Sequence, residues 1–402
     1  MVIASKSSFM WVVLITGLLF SCEEESDSEI GKQTFTSIFD NKEFSATFYP
    51  IDLKQTSDGG YLILAERKIN ESNFRGIYLL KADHFGGFVK ELILDDQFVN
   101  PIGEMMEVDD AYYFFGMDAL TLQAQLIKAD GYAESASVNA VPGATYPAAA
   151  SVDGDDFLLL SYNHVDKASV VSIYDTAGEF VKEPKKFGIG AGDDVDEPIM
   201  NHFIRTGKRF PFQVGKAAQG LYFFNGFENY TFSLVFTDLQ EDDEPLGVVQ
   251  GQQDDGGFSA VVPLGGGQFA ASRFNFGENY FLPRVSLQAN GPSVGAYLGG
   301  NVLPELLPDA RVKILRARIN SRDIVVYASD TKSKQIGLFF YDETTGEFIS
   351  SRYLGFSNPF EIAAIIQTDD DGLAVCGTTY LAGRFPRICL FKISKDELAG
   401  QL

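Results

Sequence analysis

The chain has 402 residues and carries 55 acidic against 32 basic side chains and three histidines, a net charge of −23. That balance argues against a nucleic-acid binder working by phosphate neutralisation. Apolar residues make up 45% and aromatics 13%, enough to fill a large core, so the chain is globular and not a disordered acidic tail.

The first predicted element is a secretory signal, in which Lys6 precedes the apolar run from Phe9 to Phe20, bounded by Ser21-Cys22. That run is too short to span a hydrocarbon layer of about 30 Å as a helix, which takes about 20 residues. Leu19-Phe20-Ser21-Cys22 resembles the lipobox of bacterial lipoproteins, in which the cysteine is lipidated and becomes the first residue. The resemblance implies a signal peptide over 1–21, a lipid on Cys22 and an acidic tether over 22–32, with the folded domain over 33–402. Glu23-Glu24-Glu25-Ser26-Asp27-Ser28-Glu29 in turn is similar to the acidic export signal of Bacteroidota surface lipoproteins, which implies an outer-membrane anchor and exposure at the cell surface. The same residues also read as a plain soluble linker. Removing Met1 to Ser21 takes one lysine and no acid, so the net charge moves from −23 to −24. It also takes Trp11, the only tryptophan, and repeats built on Trp-containing motifs, such as WD repeats, fit poorly.

Internal repetition sets the fold. Gln55-Thr56-Ser57-Asp58-Gly59-Gly60-Tyr61-Leu62-Ile63-Leu64-Ala65 aligns without gaps on Gln367-Thr368-Asp369-Asp370-Asp371-Gly372-Leu373-Ala374-Val375-Cys376-Gly377. The same shape, a small or acidic turn followed by an apolar run, gives markers at Gly60, Ala111, Asp156, Gly220, Gly267, Asp323 and Gly372, spaced 51, 45, 64, 47, 56 and 49. A second element follows each marker: Tyr78 to Asp83, Gln125 to Asp130, Val170 to Asp175, Leu234 to Asp238, Val285 to Asn290, Leu338 to Asp342 and Cys389 to Ser394. Each unit therefore reads as strand A, a Gly/Asp turn, strand B, a variable loop, strand C ending in an Asp, Asn or Ser turn, and strand D. Those residue types suit the turns because Asp and Asn bond their own backbone and Gly takes positive φ freely.

Units of this length repeated seven times predict an all-β, seven-bladed β-propeller. The last unit has no strand D of its own before Leu402, and Thr34 to Phe39 precedes the first strand A without a partner. The expectation is that this N-terminal strand completes the seventh blade and closes the ring. The repeat resembles the Asp-Gly-Gly propeller lipoproteins of Bacteroidota, a likeness of fold and location over the whole mature chain that brings no catalytic residues with it.

After Cys22 only Cys376 and Cys389 remain. In a hairpin centred between Ala382 and Gly383 they face each other, either as a disulfide or, the favoured reading, as two buried thiols acting as small apolar residues.

In such a fold the B–C and D–A loops share one face, and the insertion Gly188 to Arg209, the segment Asn301 to Arg311 and the B–C loops should all lie there. Phe224 to Tyr230 and Phe274 to Tyr280 read as aromatic B–C loops, so Phe227, Tyr230, Phe276 and Tyr280 are candidates for stacking on a sugar or anchoring a protein, or else for packing between blades. Tyr162 and His164 in the third blade, and Tyr380, Arg384 and Phe385 in the seventh, are of the same kind. His164 and His202 can meet over the channel, but no base or nucleophile is held in a recognisable geometry, and carboxylates are too abundant for any pair to stand out. Arg205, Lys208 and Arg209 read either as an anion contact or as salt-bridge partners for the acids before them.

No cofactor is implied. Calcium is the one metal with enough oxygen donors, in Asp193 to Glu197, Asp153 to Asp156 and Asp369 to Asp371, though none follows an EF-hand. Asp175-Thr176-Ala177 is similar to sites that Bacteroidota glycosylate on exported proteins. The function expected is a non-enzymatic binding or scaffold subunit of an outer-membrane protein complex serving uptake, assembly or secretion, with a protein partner. The alternative is a carbohydrate-binding or glycan-cleaving propeller.

Overall fold

The computed structural model describes residues 33–40, 47–190, 193–240, 244–381 and 385–401. The signal, the tether, Cys22 and Arg384 lie outside the described residues. Among the described residues the chain is all-β apart from two short α-helices, α1 (Asp193–Phe203) and α2 (Lys395–Ala399), and one 3-10 turn. No helix among the described residues is long and apolar enough to cross a membrane.

The strands form antiparallel arrays that follow the sequence markers. Unit 1 is Phe48–Gln55, Tyr61–Lys68, Arg75–Ala82 and Phe88–Ile93; unit 2 is Phe98–Val108, Ala111–Asp118, Gln123–Asp130 and Ala136–Thr145. Unit 3 is Pro147–Asp153, Asp156–Asn163, Ala168–Tyr174 and Phe180–Gly188; unit 4 is Gln213–Ala218, Leu221–Glu228, Thr231–Thr237 and Gly247–Gln250. Unit 5 is Gly256–Gly265, Gln268–Asn275, Glu278–Ser286 and Asn301–Val302; unit 6 is Val312–Ile319, Arg322–Asp330, Ile336–Asp342 and Phe348–Leu354. Unit 7 is Phe360–Gln367, Leu373–Leu381 and Phe385–Ile393, and its fourth strand is Phe35–Phe39, antiparallel to Phe385–Ile393 with Ile38 opposite Cys389. Units 1 and 2 share one sheet through the single pair Gly76 and Val99. Gly291–Val294 adds to the edge of unit 4 in parallel.

The first strands of successive units lie against one another, and that of unit 7 lies against that of unit 1. Apolar clusters fill each junction. Between units 7 and 1, Ala364, Cys376 and Leu390 meet Leu53, Ile63 and Tyr78; between units 6 and 7, Ile324, Val326 and Phe340 meet Ile362, Val375 and Cys389. Corresponding clusters sit at the other five junctions. The second and third strands are therefore buried on both faces, which is why they read as continuous apolar runs with little alternation.

The repeated Gln-Thr turn has a specific chemistry. In unit 1 the carboxylate of Asp58 accepts from the Thr56 hydroxyl (2.6 Å), the Gly60 amide (2.9 Å) and the ammonium of Lys81 (2.7 Å). Lys81 comes from the third strand, is 1% exposed and also donates to Thr56. In unit 7 the set recurs: Lys392 donates to Asp370 (2.7 Å) and Thr368 (2.8 Å), and Thr368 donates to Asp370. A Cβ at Gly60 would run into the Ala82 carbonyl and stand 2.7 Å from the Lys81 ammonium, and one at Gly372 would meet the Ile393 carbonyl and the Lys392 ammonium, so the turn needs glycine because third-strand backbone and the lysine together fill that space. The two turns also touch, since Gln55 accepts from the Asp369 amide at 2.8 Å. At the same ends of the third strands, where the chain turns into the fourth, Asp83, Asp130, Asp175 and Asp342 each accept from amides two to four residues ahead, the Asx geometry those residues favour.

Two expectations need correction. The third strand of unit 5 runs Glu278–Ser286 and not from Val285, because its hairpin turns on Phe276 and Gly277 alone, both at positive φ. The hairpin of unit 7 pairs Cys376 with Leu390 and Gly377 with Cys389, one residue away from the expected register. A one-residue slip puts side chains on opposite faces, so Cys376 enters the junction with unit 1 and Cys389 the junction with unit 6. Both are buried free thiols.

Neither thiol should react with an aromatic disulfide reagent until the protein unfolds, after which both should react; rapid labelling of either in native buffer would contradict the register. Replacing Asp58 with Asn leaves Lys81 buried without its counter-ion. The cost should approach the roughly 3–5 kcal/mol of an uncompensated buried charge, reduced because Asp58 keeps 35% of its side chain in water. Its hydrogen bonds from Lys81, Thr56 and Gly60, acting against desolvation, hold the Asp58 carboxyl down at about 2. The stability it adds is therefore present above about pH 4 and lost as pH falls towards 2. The gap in denaturant midpoint between wild type and Asp58→Asn should narrow over that window.

Candidate functional site

The insertion between units 3 and 4 packs over the face carrying the B–C and D–A connections. Val195, Ile199 and Phe203 line one side of α1 at intervals of four and, with Phe210 and Phe212 after the helix, cover a cluster drawn from several units: Val99 and Met117 of unit 2, Tyr162 of unit 3, Phe227 and Phe232 of unit 4, and Phe274 of unit 5. Phe210 stands edge-on to Phe227, ring centroids 4.9 Å apart.

Polar contacts fasten the same segment around the face. Asn100 of unit 2 donates to the Phe203 carbonyl at 2.9 Å, and the Lys208 ammonium to the Asp254 carbonyl at 2.6 Å. Lys208 also pairs with Asp309 at 3.3 Å. In unit 3 Tyr162 donates to Asp196, which His164 Nδ1 also meets at 3.0 Å; the Tyr162 phenol is raised by burial and by that carboxylate. Arg205 forms an ion pair with Glu66 of unit 1 in which both side chains are about nine-tenths buried.

These contacts place the sequence-predicted residues. Tyr162 and Phe227 are buried beneath the insertion. Phe227 lies on a strand opposite Phe232 and not in a loop, because the hairpin turns on Asn229 and Tyr230 alone, both at positive φ. His202 is also buried, accepts from the Phe210 amide at 2.9 Å, and is held well below the usual imidazole range by desolvation and by Arg209 and Arg205. It is a neutral structural acceptor, and its partner is not His164. Tyr230 and Phe276 are exposed at turn tips, 46% and 67%. The ring of Tyr230 packs over Gly190, and Tyr280 lies half-buried under the Arg273 guanidinium, 3.8 Å from ring centre to Cζ. Tyr380 donates to Glu361 at 3.0 Å, and Phe385 is half-buried at the start of its strand.

The acidic segments considered for calcium are engaged otherwise: Asp196 as above, Asp153 by Lys216 and by the Tyr222 hydroxyl (3.0 Å), and Asp370 by Lys392. Among the described residues no group of three or more His, Cys, Asp or Glu side chains converges.

Sequence reasoning did not pick out a charged group under the edge of the insertion, where the starts of the first and third strands and the ends of the second strands come together. Arg75, Arg205, Arg209 and Arg311 gather there with Glu66, Glu361 and Asp330. Arg311 pairs with Glu361 and, at 3.4 Å, with Asp330. Burial pushes the Asp330 carboxyl up to about 6 against the pull of Arg311 and the Ile362 amide. Arg209 exposes 47% of its side chain, yet desolvation and the nearby Arg205 bring it down to about 9. Arg209 thus stands at the rim of the charged group, partly in water and partly against Arg205 and Glu66. Farther along the first strands Lys54 meets Glu104 at 3.3 Å, and the exposed Lys313 is lowered by desolvation against the attraction of Asp52. The available signal was the Arg205, Lys208 and Arg209 cluster in an otherwise acidic chain.

No family model matches the chain and no curated protein matches it significantly. Among solved structures, it is similar to the β-propeller domain of the Trilobed protease from Pyrococcus furiosus, at 11% identity and a TM-score of 0.45, over 87% of this chain and 95% of that one. It is similar also to prolyl oligopeptidase B from Galerina marginata, at 9% and 0.43, over 88% of this chain and 48% of that one. A third is CoXyl43, a GH43 beta-xylosidase/alpha-arabinofuranosidase from a compost microbial metagenome, at 11% and 0.37, over 81% and 96%.

Arg205→Gln should leave the buried Glu66 with only its longer contact to Arg209, at 3.9 Å, and release the insertion. Limited proteolysis should then cut within residues 188–212 at protease levels that leave the wild type intact; unchanged resistance would mean the apolar cluster alone holds the segment.

Proposed function

We propose that the chain is a seven-bladed β-propeller closed by its N-terminal strand, anchored through a lipid on Cys22 at the outer membrane, and that it is a binding or scaffold subunit of an envelope protein complex. The ring reading is supported by the cyclic order of strand contacts, by an apolar cluster at every junction, and by the pairing of Phe35–Phe39 with Phe385–Ile393. The anchor reading rests on the sequence around Cys22.

One observation carries the preference for binding a protein over cleaving a glycan. The aromatics that would line a sugar cleft, Tyr162, Phe227 and Phe274, are spent under the insertion, and the carboxylates of the charged recess are held by arginines. What the face offers outward is a broad mixed surface on which Tyr230 and Phe276 stand as separate apolar projections, the kind of surface that suits a protein partner better than a deep pocket does.

The test is a pull-down of the full lipoprotein, tagged at Leu402, from detergent-solubilised envelopes at physiological salt. A β-barrel or second lipoprotein should be retained in stoichiometric amount, and Tyr230→Ala with Phe276→Ala should weaken its retention. Recovery of the chain alone would reject the subunit reading and turn attention to glycans.

A further inference from the structure

The recess beneath the insertion holds more guanidinium groups than its carboxylates can engage. Glu66 is taken by Arg205, and Arg209 reaches the same oxygen only at 3.9 Å. Glu361 and Asp330 are taken by Arg311, and Glu361 also accepts from Tyr380. Among the described residues Arg209 has no other ion-pair partner within 4 Å, and Arg75 has none, its guanidinium lying 5.5 Å from the ring centre of Tyr49. Tyr49 stands opposite Glu66 across the first two strands of unit 1, so Arg75 over that ring lies beside the carboxylate that Arg205 and Arg209 share, and it disfavours the charged forms of both. Arg205 Nε is in addition a buried donor without an acceptor.

Two guanidiniums without carboxylates of their own, gathered in a recess of a protein whose net charge is −23, are a local reversal of sign. The arrangement is costly when empty, because like charges are held close together. An oxyanion would remove that cost, and the planar fork of arginine matches a carboxylate or a phosphate group with two parallel hydrogen bonds. The acidic exterior would repel a diffuse polyanion, so the ligand is one that brings its charge to a point.

We propose that Arg75 and Arg209, backed by Arg205 and Arg311, form a binding site for a single oxyanion group, carboxylate or phosphate, at the edge of the insertion. The site does not depend on the subunit reading, and a failed pull-down would leave it standing.

The experiment is calorimetric titration of the full chain in detergent with tricarballylate and, separately, with inorganic pyrophosphate, at matched ionic strength. Saturable binding of either probe is expected. Arg209→Gln and Arg75→Gln should each weaken it about ten-fold, the loss of one charge-assisted contact, while Lys90→Gln on the outer strand of unit 1 leaves it unchanged. Binding of tricarballylate alone assigns a carboxylate ligand, pyrophosphate alone a phosphate ligand, and both a site that reads charge only. Arg209→Gln should also raise the melting temperature of the unliganded chain by relieving repulsion. If either single variant fails to fold, the other carries the comparison. Absence of saturable heat with both probes, or binding that survives both substitutions at full strength, would overturn the proposal.

Discussion

The pairing of Phe35–Phe39 with Phe385–Ile393 is the constraint on which the other junctions rest. Without it the last array would present an open strand edge, and the cluster joining units 7 and 1 would lose Phe39 and the packing of Phe35. Backbone pairing across that sequence distance is slow to find, because loop closure precedes any contact that rewards it. The paired Lys–Asp–Thr sets of units 1 and 7 flank the same seam, and Gln55 joins their turns. The seam where the register must be right thus carries a matched pair of polar sets, one from each flanking unit, in addition to the apolar packing found at every junction.

How much of this was legible follows from how local each cause is. The seven markers fall within one residue of the start of each second strand, because Gly and Asp turn chemistry acts over four or five residues and is written in them. The latch was visible only as a repeat; that Lys81 and Lys392 complete it needed the third strand laid beside the turn. The cysteine register failed by a single residue, since hairpin symmetry depends on the length of the connection and no residue type marks that. The insertion was located by spacing, but its α-helix went unread although Val195, Ile199 and Phe203 stand four apart and acids open the run; Pro198 within it argues locally against a helix. Tyr162, Phe227 and His202 were picked out as potentially exposed groups, and their burial is set by a segment packing from outside the repeat, which periodicity cannot see.

The charged recess was missed for a related reason. Its arginines come from positions 75, 205, 209 and 311; Arg205 and Arg209 were read from the sequence as one basic cluster, but only the order of the arrays brings Arg75 and Arg311 to them. Composition even pointed away from it, since an average of −23 conceals a local excess of positive charge. Desolvation then matters more than distance: Arg209 and Asp330 are displaced in opposite directions from their ordinary values by the same cause.

The insertion also alters how the molecule bears load. Its attachments reach units 1, 2, 3 and 5 and, through Asp309, the segment leading into unit 6, so one short stretch of chain acts as a brace across the rim. Arrays held only by apolar packing between their faces can shear or separate at any junction; arrays braced at one end can hinge only towards the other. Breathing of this molecule should therefore open the Gly/Asp-turn side, where the neighbouring turns of units 7 and 1 are linked by Gln55, and leave the rim under the insertion at constant width.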